Sequence, residues 1–134
     1  MKTVFDLKTE LQFDVNAFEQ MKDTAKGLLS GVEKTQYTQA IVLLSSKGKE
    51  YGAVIGNAIS KDKAEEEALL KRLKDACDTE VCYLLCMWED GNIDLPSIGF
   101  RKMLCEASAK NTETQIFVMT QNGAALKKLG STMK

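Results

Sequence analysis

The chain has 134 residues, of which 44% are hydrophobic and 28% charged, with a formal net charge of -1. That length and apolar share suit one domain with its own core and exclude a disordered polyelectrolyte. The near-zero charge and a pI of about 5.6 leave no basic footprint for nucleic acid, and the scattered lysines read as solvated surface.

The N-terminal stretch MKTVFDLKTELQFD is charged every few residues and has no apolar signal-peptide segment. Residues 1–14 are expected to form an arm or extra element, and residues 15–134 a single domain. A helix is predicted over Asn16 to Leu29, with Phe18, Met21, Ala25 and Leu28 or Leu29 on its buried face and Asp14 or Asn16 as its cap. The run QAIVLLSS, the turn Lys47-Gly48-Lys49 and the run EYGAVIGNA form a hairpin.

DKAEEEALLKRLKDAC reads as a second helix. Asp62 would cap it, and Glu65 would complete a capping box. Its buried stripe is expected at Ala68 or Leu69, Leu73 and Ala76 or Cys77, and Glu67 with Lys71 makes an i,i+4 pair. EVCYLLCMW is a buried strand ended by EDGN; its apolar core, Val81 to Trp88, is too short to span a bilayer. A third helix opens at Pro96 or Ser97 and runs to about Ser108. TQIFVMT is a strand, Asn122-Gly123 a hairpin turn, and AALKKLG a last strand or short helix.

This order, α-β-β-α-β-α-β-β, implies a mixed sheet covered by helices on both faces. No membrane contact is expected, and the protein reads as cytoplasmic. Histidine is absent, which removes the commonest general base and zinc ligand and excludes Ser-His or Cys-His nucleophiles. Cys77, Cys82, Cys86 and Cys105 form no C-x-x-C and lie in apolar segments, where cysteine acts as a small hydrophobe. Cys82, Leu84 and Cys86 are expected to share one buried strand face.

From about Ala40 to Leu129 the chain resembles the small cytidine deaminases. AIVLLSSKGKEYGAVIGNA is similar to their opening hairpin. KAEEEALLKRL is similar to their helix that begins with Cys or His, then Ala-Glu. LPSIGFRKMLCEAS resembles the helix that begins Pro-Cys-x-x-Cys, and TQIFVMTQNGAALKKL the closing strand-turn-strand. The resemblance implies a three-layer α/β/α fold with a mixed five-stranded sheet. It also implies a homo-oligomer, dimer or tetramer, with neighbouring subunits completing each site.

In that family a zinc ion held by a Cys or His and two Cys generates hydroxide, and a Glu beside the first ligand shuttles protons. Here the first ligand position is Lys63 and the later two are Ser97 and Phe100. An ammonium has no lone pair, a serine hydroxyl is a poor zinc ligand and a phenyl ring is none. Glu65 keeps the proton-shuttle position without an activated water. Asn57 matches one of the two polar residues that hold the nucleoside sugar; the companion Glu is missing. No metal and no cofactor are expected.

Each of these residues also has a plainer reading. Lys63 reads as a solvated lysine, in preference to an ammonium standing in the place of zinc. Phe100 fills the vacated site, Ser97 caps its helix, and Glu65 serves the capping box. Glu65, Glu66 and Glu67 point in different directions and read as a solvated face, not a Mg²⁺ or Ca²⁺ site. Trp88 packs at its strand end.

The functional reading is a non-catalytic, zinc-free deaminase-fold module for binding or homo-oligomeric assembly, with a nucleoside or other small molecule as a possible ligand. An enzyme of altered chemistry using Lys63 and Glu65 is the first alternative. A roadblock- or profilin-like dimeric scaffold is the second.

Overall fold

A computed structural model describes residues 13–133; the expected N-terminal arm lies outside the described residues except for Phe13 and Asp14. The chain runs α1 (Val15–Ser30), β1 (Gln39–Ser45), β2 (Glu50–Ile55), α2 (Ala64–Asp75), β3 (Val81–Trp88), β4 (Ile93–Asp94), α3 (Ile98–Ala107), β5 (Gln115–Thr120) and β6 (Gly123–Lys128). Short 3-10 turns cover Ala109–Glu113 and Leu129–Met133.

The strand order is β2-β1-β3-β5-β6, with β4 paired to β3. The β1–β2, β1–β3 and β5–β6 pairs are antiparallel, and β3–β5 is parallel. β1 and β3 are flanked by strands and covered on both faces, which is why QAIVLLS and VCYLLCMW are nearly continuous apolar runs. The edge strand β6 carries Lys127 and Lys128, charges that blunt an open edge. The final hairpin belongs to the common sheet, so the roadblock- or profilin-like alternative falls.

α1 covers one face. Its buried Phe18, Met21, Ala25 and Leu29 meet Val42, Leu85, Met87 and Phe117. Asp14 caps it, accepting from the Ala17 N–H at 3.0 Å. Phe13 stands edge-on to Phe18 and Phe117, with centroids 5.2 and 5.4 Å away. α2 and α3 cover the other face, where Leu69, Leu73, Phe100 and Leu104 pack with Ile41, Leu84, Cys86 and Ile116. Deep burial of these side chains stabilises each by about 1.5–3 kcal/mol.

Several sequence expectations need correction. The mixed five-stranded sheet stands as expected, and among the described residues the two-residue β4 is added beside β3, off the main strand order. At the EDGN turn Gly91 takes a left-handed φ of +90°, and the chain doubles back so that β4 pairs Asp94 with Cys86. Cys82 is exposed, not core: Leu44 faces Tyr83 while Ser45 faces Val81, so Cys82 is the extra residue of a β-bulge. Cys77 and Ala76 are exposed too, because α2 ends at Asp75 and Cys77 turns left-handed, with φ at 53°. Lys71 pairs with Asp75 at 2.9 Å instead of Glu67.

Among the described residues, no helix is long and apolar enough to cross a membrane.

Candidate functional site

The first turns of α2 and α3 meet beside the C-terminal end of β3. Ser97 is the cap of α3, its Oγ accepting from the Phe100 N–H at 3.1 Å. The same hydroxyl donates to Glu66 Oε2 at 3.0 Å. Lys63 and Glu66 are i,i+3 neighbours on one face of α2, and Lys63 Nζ stands 3.9 Å from Glu66 Oε1. The ammonium also donates to the Ala58 carbonyl at 3.3 Å. Lys63, Glu66 and Ser97 therefore form one polar chain linking the two helices.

Glu66 is only 1% exposed, which overturns its reading as part of a solvated face. Burial pushes its carboxyl above the ordinary range; the Ser97 bond and the Lys63 charge pull the other way, while Glu65 and Glu67 add to the rise. Its Oε1 has no hydrogen-bond partner. Lys63 is half-buried, not the solvated lysine preferred from sequence; its side chain is 22% exposed. Phe100 is fully buried beneath the network, within the core shared with Leu70 and Leu104.

Above the network lies a hollow of about 380 Å³, lined by Gln39, Ala58, Lys63, Trp88, Leu95 and Ser97, among others. Gln39, the first residue of β1, is 1% exposed. Its Nε2 donates to the Leu95 carbonyl at 3.3 Å, and its Oε1 has no partner. Trp88 does line the hollow, and its indole N–H donates to Asp94 at 3.0 Å.

Glu65 and Asn57 lie elsewhere. Both are exposed, lining a smaller hollow of about 170 Å³ with Asp62. Glu65 Oε1 accepts from the Gly56 N–H at 3.0 Å, so its carboxylate ties α2 to the end of β2 and completes no capping box. Lys63 occupies the cap position without a capping side chain, while Asp62 accepts from the Ala64 N–H at 3.0 Å. Asn57 Oδ1 accepts from the Ile59 N–H at 3.2 Å. Lys63 and Ser97 thus share a site, Phe100 lies under it, and Glu65 with Asn57 open onto another surface.

Sequence reasoning missed Glu66 and Gln39. Glu66 was within reach, because Lys63, Glu66, Leu70 and Leu73 follow helical spacing. Gln39 gave no signal, since its neighbours come from residues far along the chain.

Known structures with this architecture include cytidine deaminases. The enzyme from Mycobacterium leprae superposes with a TM-score of 0.65 at 16% identity, covering 90% of this chain and 98% of its own. The Bacillus anthracis enzyme gives 0.66 at 16% identity, covering 87% and 86%. The Mycobacterium tuberculosis enzyme gives 0.63 at 15% identity, covering 89% and 94%. No family profile and no curated protein sequence matches the chain. The protein therefore has the cytidine deaminase fold.

The residues at the three expected ligand positions do not fit a zinc ion. Lys63 presents a cation, the Ser97 hydroxyl is committed to Glu66 and to the α3 backbone, and Phe100 is a core ring. Among the described residues, no group of three or more His, Cys, Asp or Glu is placed to hold a metal. Cys86 on β3 is fully buried in the core shared with Phe100, and burial pushes its thiol well above the ordinary range.

Proposed function

We propose that this chain uses the cytidine deaminase fold without deaminase chemistry, as a metal-free cytoplasmic module for small-molecule binding and homo-oligomeric assembly. The observation that carries the reading is the Lys63–Glu66–Ser97 chain over Phe100. It puts an internal cation, its counter-ion and a core ring where the fold's metal ligands are expected. Removing the half-buried Lys63 would leave the buried Glu66 carboxyl without its counter-ion, a cost that favours keeping the lysine.

An open hollow beside that network supports ligand binding. Assembly is supported by Ile59 and Ile98 on its rim, 62% and 47% exposed, which a second copy would cover.

Native mass spectrometry of protein purified without added zinc tests both halves. The expected result is a zinc-free dimer or tetramer, with no turnover of cytidine in a parallel assay. Stoichiometric zinc or cytidine turnover would overturn the metal-free reading, and a monomer would overturn the assembly reading.

A further inference from the structure

We infer that two side chains of α2, Arg72 and Glu65, guard the open edge of β2, and that releasing them lets the β2 strands of two copies of this chain pair antiparallel about Val54.

β2 is one edge of the sheet. The opposite edge strand, β6, ends in Lys127 and Lys128. From Tyr51 to Ile55 β2 carries no charge, and its register with β1 runs without a bulge from Ile55 back to Glu50. An edge that is uncharged, regular and apolar invites another strand.

The register decides which backbone groups face outward. The hairpin closes with the Ser45 N–H donating to the Lys49 carbonyl at 2.9 Å. Hydrogen-bonded pairs then alternate along the ladder and fall at Leu43 with Tyr51, Ile41 with Ala53 and Gln39 with Ile55. The N–H and C=O groups of Gly52 and Val54 therefore point away from β1. The N–H of Gly56, just past the strand, continues the same phase.

Two of these outward groups are occupied from α2. Arg72 Nη2 donates to the Gly52 carbonyl, and Glu65 Oε1 accepts from the Gly56 N–H at 3.0 Å. Arg72 stands two helical turns beyond Glu65, so both reach the edge from one side of α2. Val54 lies between the two plugs.

The groups they occupy are complementary. With Val54 of one copy set against Val54 of another, the two residues exchange a pair of backbone bonds, and Gly52 falls opposite Gly56. The Gly52 carbonyl then takes the Gly56 N–H of the second copy. Arg72 and Glu65 thus cover the acceptor and the donor that would meet in such a ladder. Both side chains belong to exposed residues, so their removal leaves the core intact. The guard acts at this edge alone and does not depend on the assembly face at Ile59 and Ile98.

The test is native mass spectrometry of the intact chain as wild type, as the double variant Arg72→Ala with Glu65→Ala, and as that double variant with Val54→Pro. The double variant is expected to form assemblies of about twice the wild-type mass. Val54→Pro removes an outward N–H that β1 does not use, so it should restore the wild-type mass. An unchanged mass in the double variant, or a doubled mass that survives Val54→Pro, would overturn the inference. Where the double variant does not fold, hydrogen exchange of Glu65→Ala decides: the Gly56 amide should exchange about tenfold faster than in the wild type, and an unchanged rate means that no guard exists. Each mass is read against the wild type's own, so a monomeric wild type, which overturns the assembly reading, leaves this one standing.

Discussion

The two ends of α3 are both tied down by buried polar side chains, but in different ways. At the C-terminal end Asn111 is fully buried and has every polar group satisfied. Its Oδ1 accepts from the Val81 N–H at 2.9 Å, and its Nδ2 donates to the carbonyls of Thr79 and Leu104, each at 2.8 Å. Thr114 adds a bond to the Val81 carbonyl at 2.7 Å. At the N-terminal end Ser97, Glu66 and Gln39 are also buried or half-buried, yet Glu66 Oε1, with only the Lys63 ammonium 3.9 Å away, and Gln39 Oε1 accept no hydrogen bond. A closed network rigidifies a fold, whereas the N-terminal end keeps two buried acceptor oxygens that take no hydrogen bond. The difference separates a closed polar network at one end of this helix from an incomplete one at the other.

That contrast can be broken by substitution. Asn111→Ala should have the largest effect, a loss of roughly 3 kcal/mol, because it leaves the Val81 N–H and the Thr79 carbonyl without partners and takes one of two bonds from the Leu104 carbonyl. Urea unfolding measures it; a loss below about 1 kcal/mol would mean that water replaces the side chain and that this end is open as well.

Ser97→Ala should cost about 1–2 kcal/mol, through the lost cap of α3 and the lost donor to Glu66. A neutral result in the same unfolding assay would show that the apolar packing of α2 and α3 holds the helices without it.

Glu66→Gln sharpens the comparison through pH. Burial raises the Glu66 carboxyl above its ordinary value of 4.5, so the folded state holds this proton more tightly than the unfolded state. The contribution is therefore fully present below the unfolded-state value and is lost as pH rises through the folded-state value. The stability of the native protein relative to Glu66→Gln should fall as pH is raised from about 4 toward neutrality. A flat difference across that range would place the carboxyl in an ordinary environment.

Gln39→Met should have the smallest effect, within about 1 kcal/mol, since the lost bond to Leu95 is offset by removal of an unpaired buried oxygen. A large loss would give Gln39 the structural role that Asn111 has.

Much of the fold was legible in the sequence. The spacing of Phe18, Met21 and Ala25 defined α1, the Ile-Val-Leu run and Lys47-Gly48-Lys49 defined the first hairpin, and Pro96-Ser97 marked the start of α3. These signals are local: periodicity, capping and turn chemistry act between residues close in the chain. That Lys63, Ser97 and Phe100 are poor metal donors was likewise readable from residue types alone, because donor chemistry does not depend on packing.

What only the tertiary structure decided was which of several equivalent residues turn inward. Helical spacing with Leu70 and Leu73 puts Glu66 on the inward stripe, but only the docking of α2 on α3 shows that its carboxyl is buried and bonded to Ser97, with Glu65 left at the surface, held to Gly56. A one-residue bulge in β3 sends Cys82 outward while Cys86 stays in the core. Gln39 became a buried polar side chain only once β1 was set beside Trp88 and Leu95. Burial of a polar group depends on contacts between residues distant in the chain, and local periodicity carries no record of them.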